Sequence, residues 1–181
     1  MKRVFLALDL PDDIRAALAV QQFLLPLPRK VAPESLHLTL VFLGQTPLPV
    51  LEAVHEAFAA LRLQALSLQI QGFGLFGGDR PRVAFVALAP NPGLMALQAK
   101  VEQAARRAGA DPEHRRFVPH VTLGRFAPPP LADAMRLERA IALGAGFAPP
   151  PFTPHEMVLY ESHPGGKTAV YTPLARYPLI A

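Results

Sequence analysis

Ser35–Gly44 reads SLHLTLVFLG, and Val118–Phe126 reads VPHVTLGRF. The two stretches share one pattern: His37-Leu38-Thr39-Leu40 recurs as His120-Val121-Thr122-Leu123. Residues i and i+2 of a strand lie on one face. His37 and Thr39 therefore project together, away from Leu36, Leu38 and Leu40. His120 and Thr122 do the same, away from Val121 and Leu123. Each stretch is read as a strand with an apolar side for a core and a His/Thr pair on the other side.

The surroundings of the two strands also repeat. SLHLTLVFLG is followed by a helical stretch, VLEAVHEAFAALRL. Two strands, SLQIQGFGLF and RVAFVALA, come next, split by Gly77-Gly78-Asp79. The second copy is followed by LADAMRLERAIALG, then HEMVLYES and AVYTPLARYPL, split by Pro164-Gly165-Gly166. A first strand, RVFLALDL, leads into IRAALAVQQFLL through Pro11-Asp12-Asp13, a helix start with acids at the positive end of the dipole. Asn91-Pro92-Gly93 opens another helix, LMALQAKVEQAARRAG. Aligning His37 with His120 gives a period of 83 residues, half a domain rather than a solenoid unit. The pattern predicts an α+β fold, a bilobal pseudo-two-fold duplication. Two mainly antiparallel sheets would line a central cleft, with helices outside, and residues 1–181 would form a single domain of two lobes.

The chain has 181 residues with no cysteine, so it has no disulfide framework, thiolate nucleophile or zinc–thiolate site. With 51% hydrophobic and 18% charged residues it is not a disordered chain. No apolar run approaches the roughly 18 residues of a membrane span. Asp9 cuts short the apolar stretch behind the basic start, so no signal peptide is expected and the cytoplasm is the expected compartment. The net charge is +4, carried by 14 Arg against 4 Lys. Arginine forks onto phosphate, which points to phosphate or nucleic acid, although a thermophile-like composition produces the same bias.

Two imidazoles across a cleft make an acid–base pair. Histidine titrates near neutrality, so one ring can accept a proton while the other donates one. Threonine hydroxyls beside them can bond phosphate oxygens. A metal site would need a further ligand, and Glu34 is the only acid near either motif. A serine triad has only Ser35, Ser67 and Ser162 to draw on, with no G-x-S-x-G turn.

The segments RVFLALDLP, SLHLTLVFLG, GFGLFGGDRPRVAFVAL, FVPHVTLGRF and VLYES, in this order, resemble the 2H phosphoesterase superfamily. Within it they are most similar to the LigT-like RNA 2′,3′-cyclic phosphodiesterases, also called 2′-5′ RNA ligases. The resemblance implies metal-independent hydrolysis of RNA 2′,3′-cyclic phosphate ends to 2′-phosphomonoesters, without cofactor, and reverse 2′-5′ ligation by the same groups. It implies His37 and His120 as the catalytic pair and Thr39 and Thr122 as phosphate ligands. In that pattern His120 would activate water and His37 would protonate the leaving oxygen. Arg125 resembles the family's phosphate-contacting arginine, and Phe5 its aromatic contact to the terminal base. Strict alternation places Arg125, five residues past His120, on the wrong face; a strand end, a bulge or its own length must bring it in. The expected partner is RNA bearing such an end, tRNA fragments included, with no membrane or metal, and the expected state is a monomer. The alternatives are a non-catalytic RNA-end binder, or a phosphodiesterase for small cyclic nucleotides or 2′-5′ oligoadenylates.

Overall fold

The computed structural model describes residues 1–165 and 169–181. Gly166, part of the expected second hairpin turn, lies outside them. Among the described residues the chain forms seven strands and four α-helices. In order they are β1 (Lys2–Asp9), α1 (Asp12–Leu24), β2 (His37–Thr46), α2 (Leu48–Ala60), β3 (Ile70–Phe76) and β4 (Val83–Leu88). There follow α3 (Pro92–Arg107), β5 (His120–Arg125), α4 (Leu131–Leu143), β6 (Glu156–His163) and β7 (Val170–Pro178). None of the helices is long and apolar enough to cross a membrane.

The helix ends follow local chemistry. Proline precedes α1, α2 and α4, where its missing N–H costs nothing. Asp12 and Asp13 sit in the first turn of α1. The Asn91 side chain caps α3, accepting from the Leu94 N–H at 3.0 Å, and Arg106 and Arg107 occupy its negative end.

All strands join one sheet in the order β3-β4-β5-β2-β1-β6-β7, and every pairing is antiparallel. The antiparallel halves β3-β4-β5 and β2-β1-β6-β7 meet at β2 and β5, in register at a single pair, Leu38 opposite Val121. The sheet is therefore continuous but narrowly joined at its middle. The hairpin that follows β2 in the chain sits beside β5, and the hairpin that follows β5 sits beside β1. Each half of the sheet thus takes strands from both sequence repeats.

One apolar cluster fills the helix-covered face. It combines Leu6, Leu8, Leu38, Leu40, Val121 and Leu123 of the strands with Leu18, Val54, Phe58, Leu94, Val101 and Leu137 of the helices. The opposite face of β1, β2 and β5 carries the residues with chemistry.

Candidate active site

The meeting of β2 and β5 builds the site. With Leu38 opposite Val121, antiparallel geometry sets His37 beside Thr122 and Thr39 beside His120. Leu38 and Val121 are both 0% exposed and point into the core, so the four polar side chains share the open face. All four are partly buried. The motif pairs are thus interleaved: each histidine stands across from the threonine of the other copy.

Both imidazoles are tethered in the same way. His37 Nδ1 lies 2.7 Å from the Ser35 carbonyl and His120 Nδ1 lies 2.7 Å from the Val118 carbonyl. A carbonyl can only accept, so each Nδ1 carries the proton and donates it to the backbone two residues back. Each Nε2 is left for the cleft. His37 Nε2 lies 3.1 Å from Thr39 Oγ1, which donates to it when the ring is neutral.

Both rings are harder to protonate than a free imidazole. Burial holds the His37 pKa down to about 4, opposed by the Ser35 carbonyl and assisted by the charges of Arg125, His120 and Arg15. His120 is lowered too, by burial first and then by Arg125 and Arg115, against the Val118 carbonyl. The charge of Arg125 thus reaches both rings.

Arg125 reaches that position through a β-bulge. Thr122 pairs with Phe85, but Gly124 pairs with Ala84, so Leu123 is an extra residue in β5. Leu123 packs in the core and Gly124 is buried against the Arg29 carbonyl, so the alternation resumes with Arg125, which lines the cleft with Thr122. β2 carries the same irregularity: Thr39 pairs with Ala7 but Val41 with Leu6, leaving Leu40 extra. Leu40 and Leu123 are one repeat apart. The fifth residue after each motif histidine, Phe42 in one copy and Arg125 in the other, therefore lines the cleft. That cleft holds about 340 Å³ and is walled by Arg3, Phe5, His37, Phe42, Thr122 and Arg125, among others.

The family description "2′-5′ RNA ligase superfamily" matches residues 10–166. The chain belongs to that superfamily. This superfamily member is 32% identical to the curated "RNA 2′,3′-cyclic phosphodiesterase" of Escherichia coli, over 98% of this chain and 97% of that one. It is 35% identical to the protein of the same name from Aeropyrum pernix, but there the match covers 54% of this chain and 57% of the relative. The crystal structure of E. coli LigT complexed with 3′-AMP superposes with a TM-score of 0.77 at 28% identity, covering 98% of each chain.

In this superfamily member each catalytic candidate rests on aromatic rings. Phe76 and Phe85 meet His120 edge-on, with centroids at 5.0 and 5.3 Å. Phe5 lies 4.9 Å from the His37 ring, stacked on Tyr160 at 5.3 Å and met edge-on by Tyr171 at 5.0 Å. Phe5 borders the cleft but is only 3% exposed, so here its ring supports His37 and leaves almost no open surface for a base. Among the described residues no group of three or more His, Cys, Asp or Glu side chains is placed to hold a metal ion.

Three contributors escape a reading of the sequence alone. Arg15, on α1, donates to the carbonyls of Leu36, Pro33 and Leu10 at 2.8, 3.1 and 3.2 Å and pairs with Asp9 at 2.7 Å, bracing the turn that leads into His37. Arg115 lies over the Phe42 ring at 5.0 Å on the cleft wall. Tyr171 meets the His37 ring edge-on at 5.2 Å. The Phe42 ring beneath Arg115, by contrast, had a signal in its 83-residue offset from Arg125, whereas Arg15 and Tyr171 reach His37 through tertiary contacts.

Proposed function

We propose that this protein hydrolyses RNA 2′,3′-cyclic phosphate ends to 2′-phosphomonoesters. The observation that carries the proposal is the pair of imidazoles on adjoining strands, each tethered through Nδ1 with Nε2 free of the backbone, and both within reach of the Arg125 charge. The names of the full-length relatives support the same substrate.

The reaction needs little beyond these groups. Arg125, Thr39 and Thr122 hold the non-bridging oxygens of the cyclic phosphate. Neutral His120 takes a proton from water through Nε2 as the water oxygen bonds to phosphorus. The bond from phosphorus to the 3′ oxygen breaks, and protonated His37 gives its Nε2 proton to that oxygen. The product is a 2′-phosphomonoester and a 3′-hydroxyl, and both rings return to their starting states by exchanging one proton with solvent. His37 in the free site has a pKa of about 4, so the phosphate anion itself must favour its protonation. The substrate thereby charges its own general acid. Phe5 serves as the floor under His37; direct stacking of a base on it would require Tyr171 to swing aside. Reverse 2′-5′ ligation uses the same atoms, with a 5′-hydroxyl in place of water.

In this proposal residues 1–181 act as one domain and as a monomer, on RNA ends in the cytoplasm. Its two lobes are related by the internal repeat and exchange their hairpins across the β2–β5 seam. The test is incubation of an oligoribonucleotide ending in 2′,3′-cyclic phosphate with the protein in excess chelator. The expected product is the 2′-phosphate, with His37→Asn and His120→Asn each slowing turnover about 10²–10⁴-fold. Tight binding without turnover, or full activity of either variant, overturns the proposal in favour of a non-catalytic end binder.

A further inference from the structure

The connection between α1 and β2 carries Arg29-Lys30-Val31, and it is stitched to the end of β5. The Val31 N–H donates to the Leu123 carbonyl at 2.9 Å, and Lys30 is bridged antiparallel to Gly124. Gln22 of α1, only 3% exposed, donates to the carbonyls of both Val31 and Leu123 at 2.8 Å. The approach is close enough that a Cβ on Gly124 would lie 2.5 Å from the Arg29 carbonyl oxygen. The fold therefore holds this basic segment against the bulge that presents Arg125.

Arg29, Lys30 and Arg125 line one cavity of about 230 Å³, which shares Arg125, Val31, Ser35 and Tyr171 with the catalytic cleft. The charges of Arg29 and Lys30, like those of Arg3 and Arg125 on the cleft wall, stand apart from the paired ones. Arg15 is paired with Asp9, Arg115 with Glu113 and Arg106 with Glu102. Among the described residues Arg29 and Lys30 have no carboxylate partner. Beside them Phe23, in the last turn of α1, has its side chain in water, 79% exposed, and the Lys30 ammonium stands 5.8 Å from its ring centroid. Unneutralised cations on a fixed backbone, next to an open aromatic ring, are what a single-stranded nucleic acid recognises.

We propose that this segment is a second RNA subsite. Arg29 and Lys30 hold the phosphate that joins the terminal nucleotide to its 5′ neighbour, and Phe23 receives the neighbour's base. The proposal rests on the phosphodiesterase function above, and it makes the enzyme prefer an RNA strand to a cyclic mononucleotide.

The test compares a 2′,3′-cyclic mononucleotide with an oligoribonucleotide ending in the same group. All three side chains are exposed, so their replacement should leave the fold intact. Arg29→Ala/Lys30→Ala should lower the ratio of kcat/KM on the oligonucleotide to that on the mononucleotide about tenfold or more, and Phe23→Ala should lower it several-fold. A second arm reads binding of a 3′-phosphate-ended oligoribonucleotide by fluorescence anisotropy, independently of turnover. There the double variant should flatten the slope of log affinity against log salt by about 0.7 for each phosphate it no longer neutralises. A ratio within twofold of wild type, with an unchanged salt slope, overturns the subsite. Wild-type turnover of neither substrate would instead overturn the phosphodiesterase function, while the anisotropy arm would still decide the subsite.

Discussion

Arg125 shares a face of the sheet with His120, five residues before it, because Leu123 is accommodated as an extra residue between them. The bulge puts a guanidinium where its charge acts on both imidazoles, and the charge disfavours protonation of each. Two effects of Arg125→Ala follow. Loss of a charge-assisted hydrogen bond to phosphate, about 1.5–3 kcal/mol, should lower kcat/KM roughly 10–150-fold. Both histidines should also become easier to protonate, shifting their NMR titrations to higher pH. Arg125→Lys should restore the titrations but not the affinity, because an ammonium lacks the fork. If the titrations of Arg125→Ala match wild type, the guanidinium does not stand at the pair.

His37 should make the fold sensitive to mild acid. Its pKa is about 4 in the folded protein against an ordinary 6.5. Between those values the unfolded chain binds a proton that the folded chain refuses, so stability is complete above pH 6.5 and is lost as pH falls toward 4. The ceiling is about 3 kcal/mol, or roughly 6–12 °C in Tm for a chain of this size. His37→Asn keeps an N–H for the Ser35 carbonyl but cannot titrate. Its Tm should fall less steeply than wild type across that window; equal slopes would assign the acid sensitivity to other groups.

Most strands and helices were legible because proline, glycine or a capping residue stands near their ends. The His/Thr pairs were legible because alternation holds from His37 to Thr39 and from His120 to Thr122. Alternation then failed at Leu40 and Leu123. Both are ordinary apolar residues, and only the register against β1 and β4 shows them to be supernumerary. Strand order was hidden too, because nothing local says that the hairpin after β2 pairs with β5. Phe5 shows a third limit: its parity places it on the open face, but the rings of Tyr160 and Tyr171, more than 150 residues away in sequence, cover it there.

Arg15 is expected to act on catalysis through position alone. Its guanidinium braces Pro33 and Leu36, the residues flanking the Ser35 carbonyl that orients His37. Arg15→Met should cost about 2 kcal/mol of stability, roughly 4–8 °C in Tm. It should lower kcat about 10–100-fold through misplacement of His37, with KM nearly unchanged. Arg15→Lys cannot span three carbonyls and a carboxylate and should recover little of kcat. A variant that loses Tm but keeps kcat would reduce Arg15 to a structural brace.

Gly74 tests the aromatic floor under His120. It pairs with Phe85 across β3 and β4, and a Cβ there would lie 2.3 Å from the Phe85 ring. The backbone at Gly74 does not require glycine, so the ring alone sets the cost. Phe85 is stacked on Phe76 at 4.1 Å and meets His120 at 5.3 Å, which leaves it little room to retreat without disturbing one or the other. Gly74→Ala should therefore cost about 1–3 kcal/mol and lower kcat, because the displaced ring shifts the imidazole. In a Phe85→Leu background the clash is gone, and the same substitution should cost less than about 0.5 kcal/mol. Additive costs across that double-mutant cycle would mean that the glycine serves something other than the seat of His120.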